Sequence, residues 1–421
     1  MGHHTRSTLA LAVALLLPHG DVNAENWPAF RGAAAGGLGH GATPTTWNIA
    51  TSVNVAWKTP IPGLAISSPI IWGDRIYLTT AVPMAPPRGR DLRTRHQWKL
   101  LSLERISGKV MWEQTAHDGM PYMQRHVNGS YANATPATDG QHIVAVFGTE
   151  AVACFDTSGK LLWKKLLQVQ SNRDAFDSGS SPVIVEDMVI VQDDRDRDSY
   201  MAAYRLADGS EVWRVNRADG LSQSTPVVWT AGTTGTPLLI VVAQRSVRVL
   251  EARTGKETWR FAAQNEWAAA SPAIAGDVVI SAAGEDVRAF RGSGPDAGAV
   301  LWSAEGGGAN IPSPLVLGDH IFVLNDNGVL TVYDIHNGRK VFQQRAAAGA
   351  YCASPISADG KIYVFSRDGD ATVLRAAPTL DVLARNQMGG TTQATPAIAD
   401  GTLYVRTAGH LIALREASGR R

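Results

Sequence analysis

The chain has 421 residues, 44% of them hydrophobic and 18% charged, with 39 basic residues against 38 acidic ones and a net charge of +1. A balance this close to neutral gives no reason to expect nucleic acid or an acidic membrane surface as a partner. The two cysteines, Cys154 and Cys352, are too few for a disulfide framework or a cysteine-based metal site.

The first 24 residues have the pattern of an export signal that is removed on secretion. Arg6 precedes an apolar run from Leu9 to Leu17, and Val22-Asn23-Ala24 has the small residues of a signal-peptidase site. We expect a mature chain that begins at Glu25 and is periplasmic or secreted. No later segment approaches the roughly 18 consecutive apolar residues of a membrane span. No cysteine stands at the cleavage point to take a lipid anchor.

Residues 25–52 read as an N-terminal arm ahead of the first repeat. Trp27-Pro28-Ala29-Phe30-Arg31-Gly32 is followed by a tract rich in Gly and Ala that ends at Ala42. We predict that the aromatic side chains dock on the body of the protein and that the middle of the arm is flexible. The arm is interpreted as a packing element, with a ligand-binding role for Arg31 as the alternative.

Two short motifs recur through the rest of the chain. One is a large apolar residue, usually Trp, that follows a turn; the other is a Ser/Thr-Pro dipeptide. The residues of the first motif are Trp57, Trp112, Trp163, Trp213, Trp259, Trp302, Phe342 and Leu383. The prolines of the second are Pro69, Pro136, Pro182, Pro226, Pro272, Pro314, Pro355 and Pro396. After a first interval of 67 residues the prolines are 41 to 46 residues apart, the length of one four-stranded propeller blade.

Each repeat predicts four β-strands. Short apolar segments flank dipeptides such as Gly73-Asp74 and Asp400-Gly401, which supply the positive φ of a tight hairpin. No helical periodicity lasts three turns, so the fold class is all-β: one eight-bladed propeller over residues 53–416, followed by a short tail at 417–421. The last repeat lacks an outer strand. We therefore predict that the N-terminal strand around Trp57 completes the last blade.

Two further expectations follow from this ring. The recurrent Trp side chains should fill the gaps between blades as core residues. Cys154 and Cys352 fall in the second and seventh repeats, which are not neighbours, so we expect both thiols to be free and buried. We also expect a monomer.

The repeat unit resembles that of a known superfamily. The pattern Ala-x-Asp-x-x-Thr-Gly-Lys-x-x-Trp occurs loosely in Ala153 to Trp163 and in Leu250 to Trp259. It is similar to the repeat of the quinoprotein-like (PQQ-like) β-propellers, which include the PQQ-dependent alcohol dehydrogenases and the propeller lipoprotein of the outer-membrane β-barrel assembly machine. The resemblance covers about Val53 to Arg415 and, with Trp27 to Gly32, implies an exported bacterial branch. Such repeats are specific for fold and weak for function.

Function is expected on the loops. The fourth-to-first and second-to-third connections of a propeller lie on one face, around the channel mouth. The first repeat enlarges both connections, at Ala81 to Gln97 and at Glu113 to Asn133, and Leu166 to Ser180 adds a third long loop. We predict that these loops build a binding surface on that face, because loops carry binding while blades carry stability.

Several polar groups on these loops are candidates for binding. The first insertion carries Arg88, Arg90, Arg93, Arg95 and His96 with only Asp91 against them; we favour a solvated basic loop over a site for an anion. His117 and His126 are nine residues apart, which matches no known metal spacing, so no metal is predicted. The candidate ligand-binding residues are His126, Tyr131, Asn133, Glu150, Arg195, Arg245, Glu285, Asn310, Asn325 and Arg367, with Asp326 and His410 on the same loops.

The run from Asp193 to Asp198 alternates Asp with Arg. It superficially resembles the start of a calcium loop but lacks the Gly and the distal Glu of an EF-hand. We interpret it as a salt-bridged hairpin tip.

Two functions from different classes remain open. The favoured one is an exported, non-catalytic binding or scaffold propeller that uses the enlarged channel face for a protein, a peptide or a small polar ligand, with no cofactor. The alternative, implied by the resemblance, is a PQQ-dependent oxidoreductase of alcohols or sugars with Ca²⁺ in the channel. Against the alternative, an adjacent Cys-Cys pair and a Cys-x-x-Cys-His haem site are both missing from the sequence.

Overall fold

The computed structural model describes residues 24–86, 94–167, 179–195, 198–230, 235–263, 265 and 268–417. Across these ranges the ordered elements are β-strands and no helix is present, so none can cross a membrane. The strands form eight four-stranded antiparallel sheets in a ring. The predicted eight-bladed β-propeller is confirmed. The predicted export signal lies outside the described residues except for Ala24, as does the tail after Ala417.

The eight blades follow one another along the chain. Within each blade the strands are given from the innermost, at the channel, to the outermost. Blades 1 to 4 are β2 Ile70–Trp72, β3 Arg75–Pro83, β4 His96–Glu104, β5 Val110–Gly119; β6 Ala137–Thr138, β7 His142–Phe147, β8 Ala151–Asp156, β9 Leu161–Leu166; β10 Val183–Val185, β11 Met188–Asp193, β12 Ser199–Arg205, β13 Glu211–Arg217; β14 Val227–Thr230, β15 Pro237–Val242, β16 Ser246–Glu251, β17 Glu257–Ala262. Blades 5 to 8 are β18 Ala273–Ala275, β19 Val278–Ser281, β20 Val287–Arg291, β21 Val300–Ala304; β22 Leu315–Leu317, β23 His320–Leu324, β24 Val329–Asp334, β25 Lys340–Arg345; β26 Ile356–Ala358, β27 Lys361–Phe365, β28 Asp370–Arg375, β29 Val382–Gln387; β30 Ala397–Ala399, β31 Thr402–Arg406, β32 His410–Leu414, with β1 Val55–Pro60 outermost in blade 8.

The N-terminal strand closes the ring, as predicted. β1 pairs antiparallel with β32, with Trp57 opposite Ala413 and Lys58 opposite Ile412. On the channel side β2 contacts both β6 and β30, so blade 1 has blades 2 and 8 as its neighbours. The first and last parts of the chain therefore share one sheet.

The recurrent Trp residues join neighbouring blades, which confirms their predicted packing role. Each of the six indoles donates its Nε1–H to a backbone carbonyl of the next blade, at 2.7 to 3.2 Å. Each also lies against a glycine of positive φ in that blade's third-to-fourth turn, as Trp163 lies against Gly209. Phe342 instead packs against the core shared by blades 6 and 7, where the third-to-fourth turn of blade 7 has no glycine. Trp therefore occurs where a glycine leaves room for the indole.

The Ser/Thr-Pro dipeptides form a second link between blades. In blades 2 to 8 the hydroxyl oxygen of this Ser or Thr accepts the backbone N–H of the matching residue in the preceding blade. Seven such bonds, of 2.9 to 3.1 Å, run from blade 1 to blade 8. We call these residues the hydroxyl ring: Ser68, Thr135, Ser181, Thr225, Ser271, Ser313, Ser354 and Thr395. The motif recurs because its copies bond in series around the channel, and the six copies from Thr135 to Ser354 each donate one backbone N–H and accept another.

The arm crosses the opposite face of the ring from the enlarged loops. Trp27 is buried and pairs with Ile71 of blade 1, while the Arg31 guanidinium reaches blade 6 and donates to Pro314 O at 2.7 Å. The arm then returns over blades 7 and 8, where Trp47 stacks on Phe365 with ring centroids 6.3 Å apart. The predicted docking of the arm is therefore correct for Trp27 and Trp47. Arg31 is fully buried at the centre of the crossing.

The two cysteines differ in environment. Cys154 is buried between blades 2 and 3, and burial raises the pKa of its thiol to about 12. Cys352 is also a free thiol but is only partly buried, so the prediction that both are buried is wrong for this residue. Cys352 faces the channel because it lies two residues before Ser354, and residues two apart in extended chain share one side.

Candidate functional site

The fourth-to-first and second-to-third connections meet on one face, as predicted. Asp326 of the second-to-third turn of blade 6 accepts the N–H groups of Asn310 and Ile311 in the connection before that blade. In blade 3 the backbone of Asp194, in the second-to-third turn, forms an isolated β-bridge with Ser222 in the connection that leads to blade 4. We call this the channel face. The arm lies on the other face, along the first-to-second turns such as Gly73 and Gly401.

The enlargement of the first repeat is built largely of strand. β3, β4 and β5 have 9, 9 and 10 residues, and pairing continues through Ala81 with Trp98 and Pro83 with His96. In the other blades the corresponding strands have 4 to 7 residues. The expectation of two long loops is therefore wrong for the stem of this insertion. The arginines predicted at Arg88, Arg90 and Arg93 lie outside the described residues.

We call the projecting part the blade-1 wall: residues 81–84, 94–98 and 116–122. It projects because its strands keep hydrogen bonding beyond the length of the neighbouring blades. His96 pairs with both Pro83 and Gly119, so the chain leaves the sheet at Met84 and Met120 side by side. Met84, Met120 and Tyr122 are 55%, 47% and 55% exposed. The top of the wall is therefore an exposed apolar edge beside the mouth of the channel.

Aromatic residues hold the wall upright. Trp98 is fully buried and donates its indole N–H to Tyr131 O at 2.8 Å. His96 meets the Tyr131 ring edge-on, with centroids 4.9 Å apart. Glu150 of blade 2 accepts the Tyr122 N–H at 2.7 Å and lies 3.8 Å from His117. Tyr131 and Glu150, predicted as ligand groups, are thus buried supports of the wall.

The wall should become less stable in acid. Burial lowers the pKa of His96; its hydrogen bond to the Thr94 carbonyl raises that pKa, and the nearby charge of Arg125 lowers it. Burial also lowers the pKa of His117, and the charge of Lys164 lowers it further. An unfolded histidine has a pKa of about 6.5, so below that pH the unfolded chain binds more protons than the folded one and the free energy of unfolding falls. We expect H96Q to lose less stability than the wild type between pH 7.5 and 5.5. Urea unfolding at both pH values tests this, and an identical loss in both proteins contradicts it.

The channel holds a cavity of about 590 Å³ that opens on the channel face. Seven of the eight hydroxyl-ring residues, all except Ser313, line it. One step nearer the mouth lie the residues two positions before each Ser or Thr of the ring: Ile66, Asn133, Gly179, Gln223, Ala269, Ile311, Cys352 and Gln393. We call these the upper ring. The cavity is therefore lined by the hydroxyl ring, in which every residue is Ser or Thr, and by the upper ring, in which the residue type varies.

The arm forms the floor of this cavity. Phe30 lines both the channel cavity and a second, mainly apolar cavity of about 630 Å³ on the arm side. Ala33, Ala34 and Ala35 line only the second. Thr225 of the hydroxyl ring also lines both cavities, whereas the other ring residues that line a cavity line only the one that opens on the channel face.

The mouth is bridged by a hydrogen bond between distant loops. Arg367 of blade 7 donates to Asn128 Oδ1, in the loop between blades 1 and 2, at 2.7 Å. His126 of the same loop also lines the cavity. Asp326 is the one carboxylate among the lining residues that the structure describes, and both of its oxygens accept backbone N–H groups.

The structure brings together four of the ten candidate residues. His126, Asn133, Asn310 and Arg367 line the channel cavity. Asn325 instead accepts the N–H groups of Asn327 and Val329 in its own turn, Glu285 is exposed, and Arg245 donates to Ala218 O. Residues that sequence reasoning missed include Phe30, Asn128, Gln223 and Gln393. The fixed offset from the Ser/Thr-Pro motif is the signal that would have found the upper ring.

Arg195 lies away from the channel, in a side cavity between blades 2 and 3. It pairs with Asp193, as expected of a salt-bridged turn, although Asp193 is buried. The neighbouring Asp194 is also buried, 3.1 Å from Arg217. Burial raises the pKa of Asp194 to about 7 despite that cation. Asp196 and Arg197 lie outside the described residues. This run therefore contributes to packing between blades rather than to the channel.

The described channel lining does not match the Ca²⁺ site of the alternative. Ca²⁺ takes about six to eight oxygen ligands, commonly including several carboxylates. The described lining offers the carboxylate of Asp326, already engaged by two backbone N–H groups. No three His, Cys, Asp or Glu side chains in the described ranges are placed to share a metal ion.

The sequence also matches a known protein family. A family profile described as outer membrane protein assembly factor BamB matches residues 99–234 and 243–377, well over half of the chain. None of the curated proteins matches the sequence significantly.

Solved structures that are similar to this one include an assembly factor and two dehydrogenases. BamB from Moraxella catarrhalis has a TM-score of 0.58 at 13% identity, over 87% of this chain and 100% of that one. Quinohemoprotein alcohol dehydrogenase from Comamonas testosteroni has a TM-score of 0.64 at 12% identity, over 94% and 81%. A europium-containing methanol dehydrogenase has a TM-score of 0.52 at 13% identity, over 93% and 89%. At such identities the likeness concerns the fold alone.

Proposed function

Because the chain belongs to the family described as outer membrane protein assembly factor BamB, we propose that it is an exported, non-catalytic binding protein whose channel face holds a protein partner. The observation that carries this is the blade-1 wall, which presents Met84, Met120 and Tyr122 to solvent. Apolar side chains grouped at the edge of a polar rim are typical of protein interfaces. The export pattern in residues 1–24 and the outer-membrane wording of the family name support a periplasmic location.

The wall suits a protein partner better than it suits a small molecule. Its apolar edge is convex and stands beside the cavity, whereas small ligands bind in concave sites. Arg95 and Asp118 form an ion pair on the wall, so polar groups flank the methionines. A partner seated on the wall would bury the three exposed side chains without entering the channel.

Two substitutions, one near each end of β5, test the partner surface. Met111, near the start of β5, and Met120, just past its end, are 41% and 47% exposed and lie on opposite faces of the ring. We expect M120K to reduce the recovery of partner with the tagged full-length chain by about tenfold, because a charge replaces a central apolar contact. M111K should leave recovery within twofold. Quantitative mass spectrometry of affinity eluates measures both, and equal recovery would refute the assignment.

A separate experiment tests the absence of catalysis. PQQ and Ca²⁺ are added to the purified protein, and the quinone absorbance and dye reduction are followed with a panel of alcohols and sugars. We expect neither saturable quinone binding nor turnover. Bound quinone with substrate-dependent dye reduction would establish the dehydrogenase alternative instead.

A further inference from the structure

The hydroxyl ring has hydrogen-bonding capacity that the protein itself does not use. A hydroxyl offers one donor and two acceptor positions. Seven of the ring oxygens each accept a backbone N–H, for example Ser354 from Ser313. None of the eight donates its O–H to another group in the part of the chain that the structure describes. Each of these seven hydroxyls therefore keeps one donor and one acceptor position, and the donor is the one that can hold an anion.

These donors converge on one space. All eight ring residues are at least 95% buried, and seven of them line the channel cavity. A buried donor without an acceptor is destabilising, so such a ring favours a bound acceptor. In the upper ring, Asn133, Gln223 and Gln393 add amide groups that can donate or accept.

The electrostatic environment favours a negative charge. Arg31 lies under the ring beside Pro314, is fully buried, and has no hydrogen-bond partner for Nε or Nη1. No carboxylate of the described chain forms an ion pair with it. Arg367 adds a second cation at the mouth, while the Asp326 carboxylate is already compensated by two N–H groups.

We propose that the channel cavity binds a small organic acid, with its carboxylate oxygens held by the O–H groups of the hydroxyl ring. The proposal does not depend on the partner surface of the blade-1 wall. Entry is from the channel face, because Phe30 and the arm form the floor. The variable upper ring then selects among acids by its mixture of amide, apolar and small residues.

Ser313 and Ser354 form a matched pair for testing this. Each accepts one N–H from the preceding blade, from Ser271 and Ser313 respectively, but only Ser354 lines the cavity. S313A and S354A should therefore lose similar thermal stability. With citrate as the probe in isothermal titration on the full chain, we expect S354A to bind about tenfold more weakly and S313A to bind within twofold of the wild type. Equal weakening in both variants would reject the proposal.

The wild-type chain provides a second measurement that does not depend on the variants folding. Cys352 lines the cavity while Cys154 is buried in the core. Citrate should slow the modification of Cys352 by a small methanethiosulfonate at pH 9, and sorbitol at the same concentration should not. Protection by both compounds would indicate a site for neutral polyols, and protection by neither would show that the cavity does not take citrate; either result overturns the proposal.

Discussion

Replacing Gly209 with alanine is expected to destabilise the ring far more than the same change at Gly318. Both glycines have positive φ, +72° and +56°, which costs an alanine about 1–2 kcal/mol. A Cβ on Gly209 would lie 2.7 Å from the Trp163 indole of blade 2, whereas one on Gly318 would have no described atom within 4 Å apart from its chain neighbours. Overpacking adds about 1–3 kcal/mol, so we expect a total near 3 kcal/mol for G209A.

Chemical denaturation of the two variants measures this difference. Comparison with G318A removes the common backbone cost, and what is left is the contact between Trp163 and Gly209. If the two variants unfold at the same denaturant concentration, the indole does not need that glycine. The recurrence of Gly with Trp along the sequence would then have no packing explanation.

Replacing Trp27 with alanine is expected to release the arm. Trp27 is 1% exposed and belongs to the core formed by blades 1, 7 and 8. Removing a buried Trp typically costs about 3–5 kcal/mol. Arg31 is buried behind it, so the wild type should resist trypsin at this residue, while W27A should be cut there rapidly.

The arm offers its own control. Leu38 is 46% exposed, and L38A should change stability by about 0.5 kcal/mol or less and leave Arg31 protected. Mass spectrometry of timed digests identifies the cut site. Slow cleavage after Arg31 in W27A, at the wild-type rate, would mean that Trp27 does not hold the arm in place.

The parts of the fold with a sequence period could be predicted. The structure confirms that the strand of Trp57 completes the last blade and that the hairpin dipeptides contain residues of positive φ. The family match confirms the resemblance to quinoprotein-like propellers. The hydroxyl ring was not predicted, although every Ser/Thr-Pro copy was identified. Its bonds join residues of different blades, so no single repeat contains both partners.

The candidate site was harder to predict because the sequence of a loop does not determine which way its side chains point. Asn310 and Asn325 are both polar and both lie on channel-face loops, yet Asn310 lines the cavity and Asn325 bonds to its own turn. The wall was missed because strand pairing between Ala81 and Trp98 depends on the register, which insertion length alone does not reveal. Whether the lining residues bind a ligand remains a prediction.

Site-specific photo-cross-linking tests the partner surface most directly. Benzoylphenylalanine is placed at Met120 in one chain and at Met111 in another, and both are irradiated in living cells. A protein partner on the blade-1 wall predicts a discrete cross-linked product from position 120 and none from position 111. The same product from both positions, or from position 111 alone, would contradict the account.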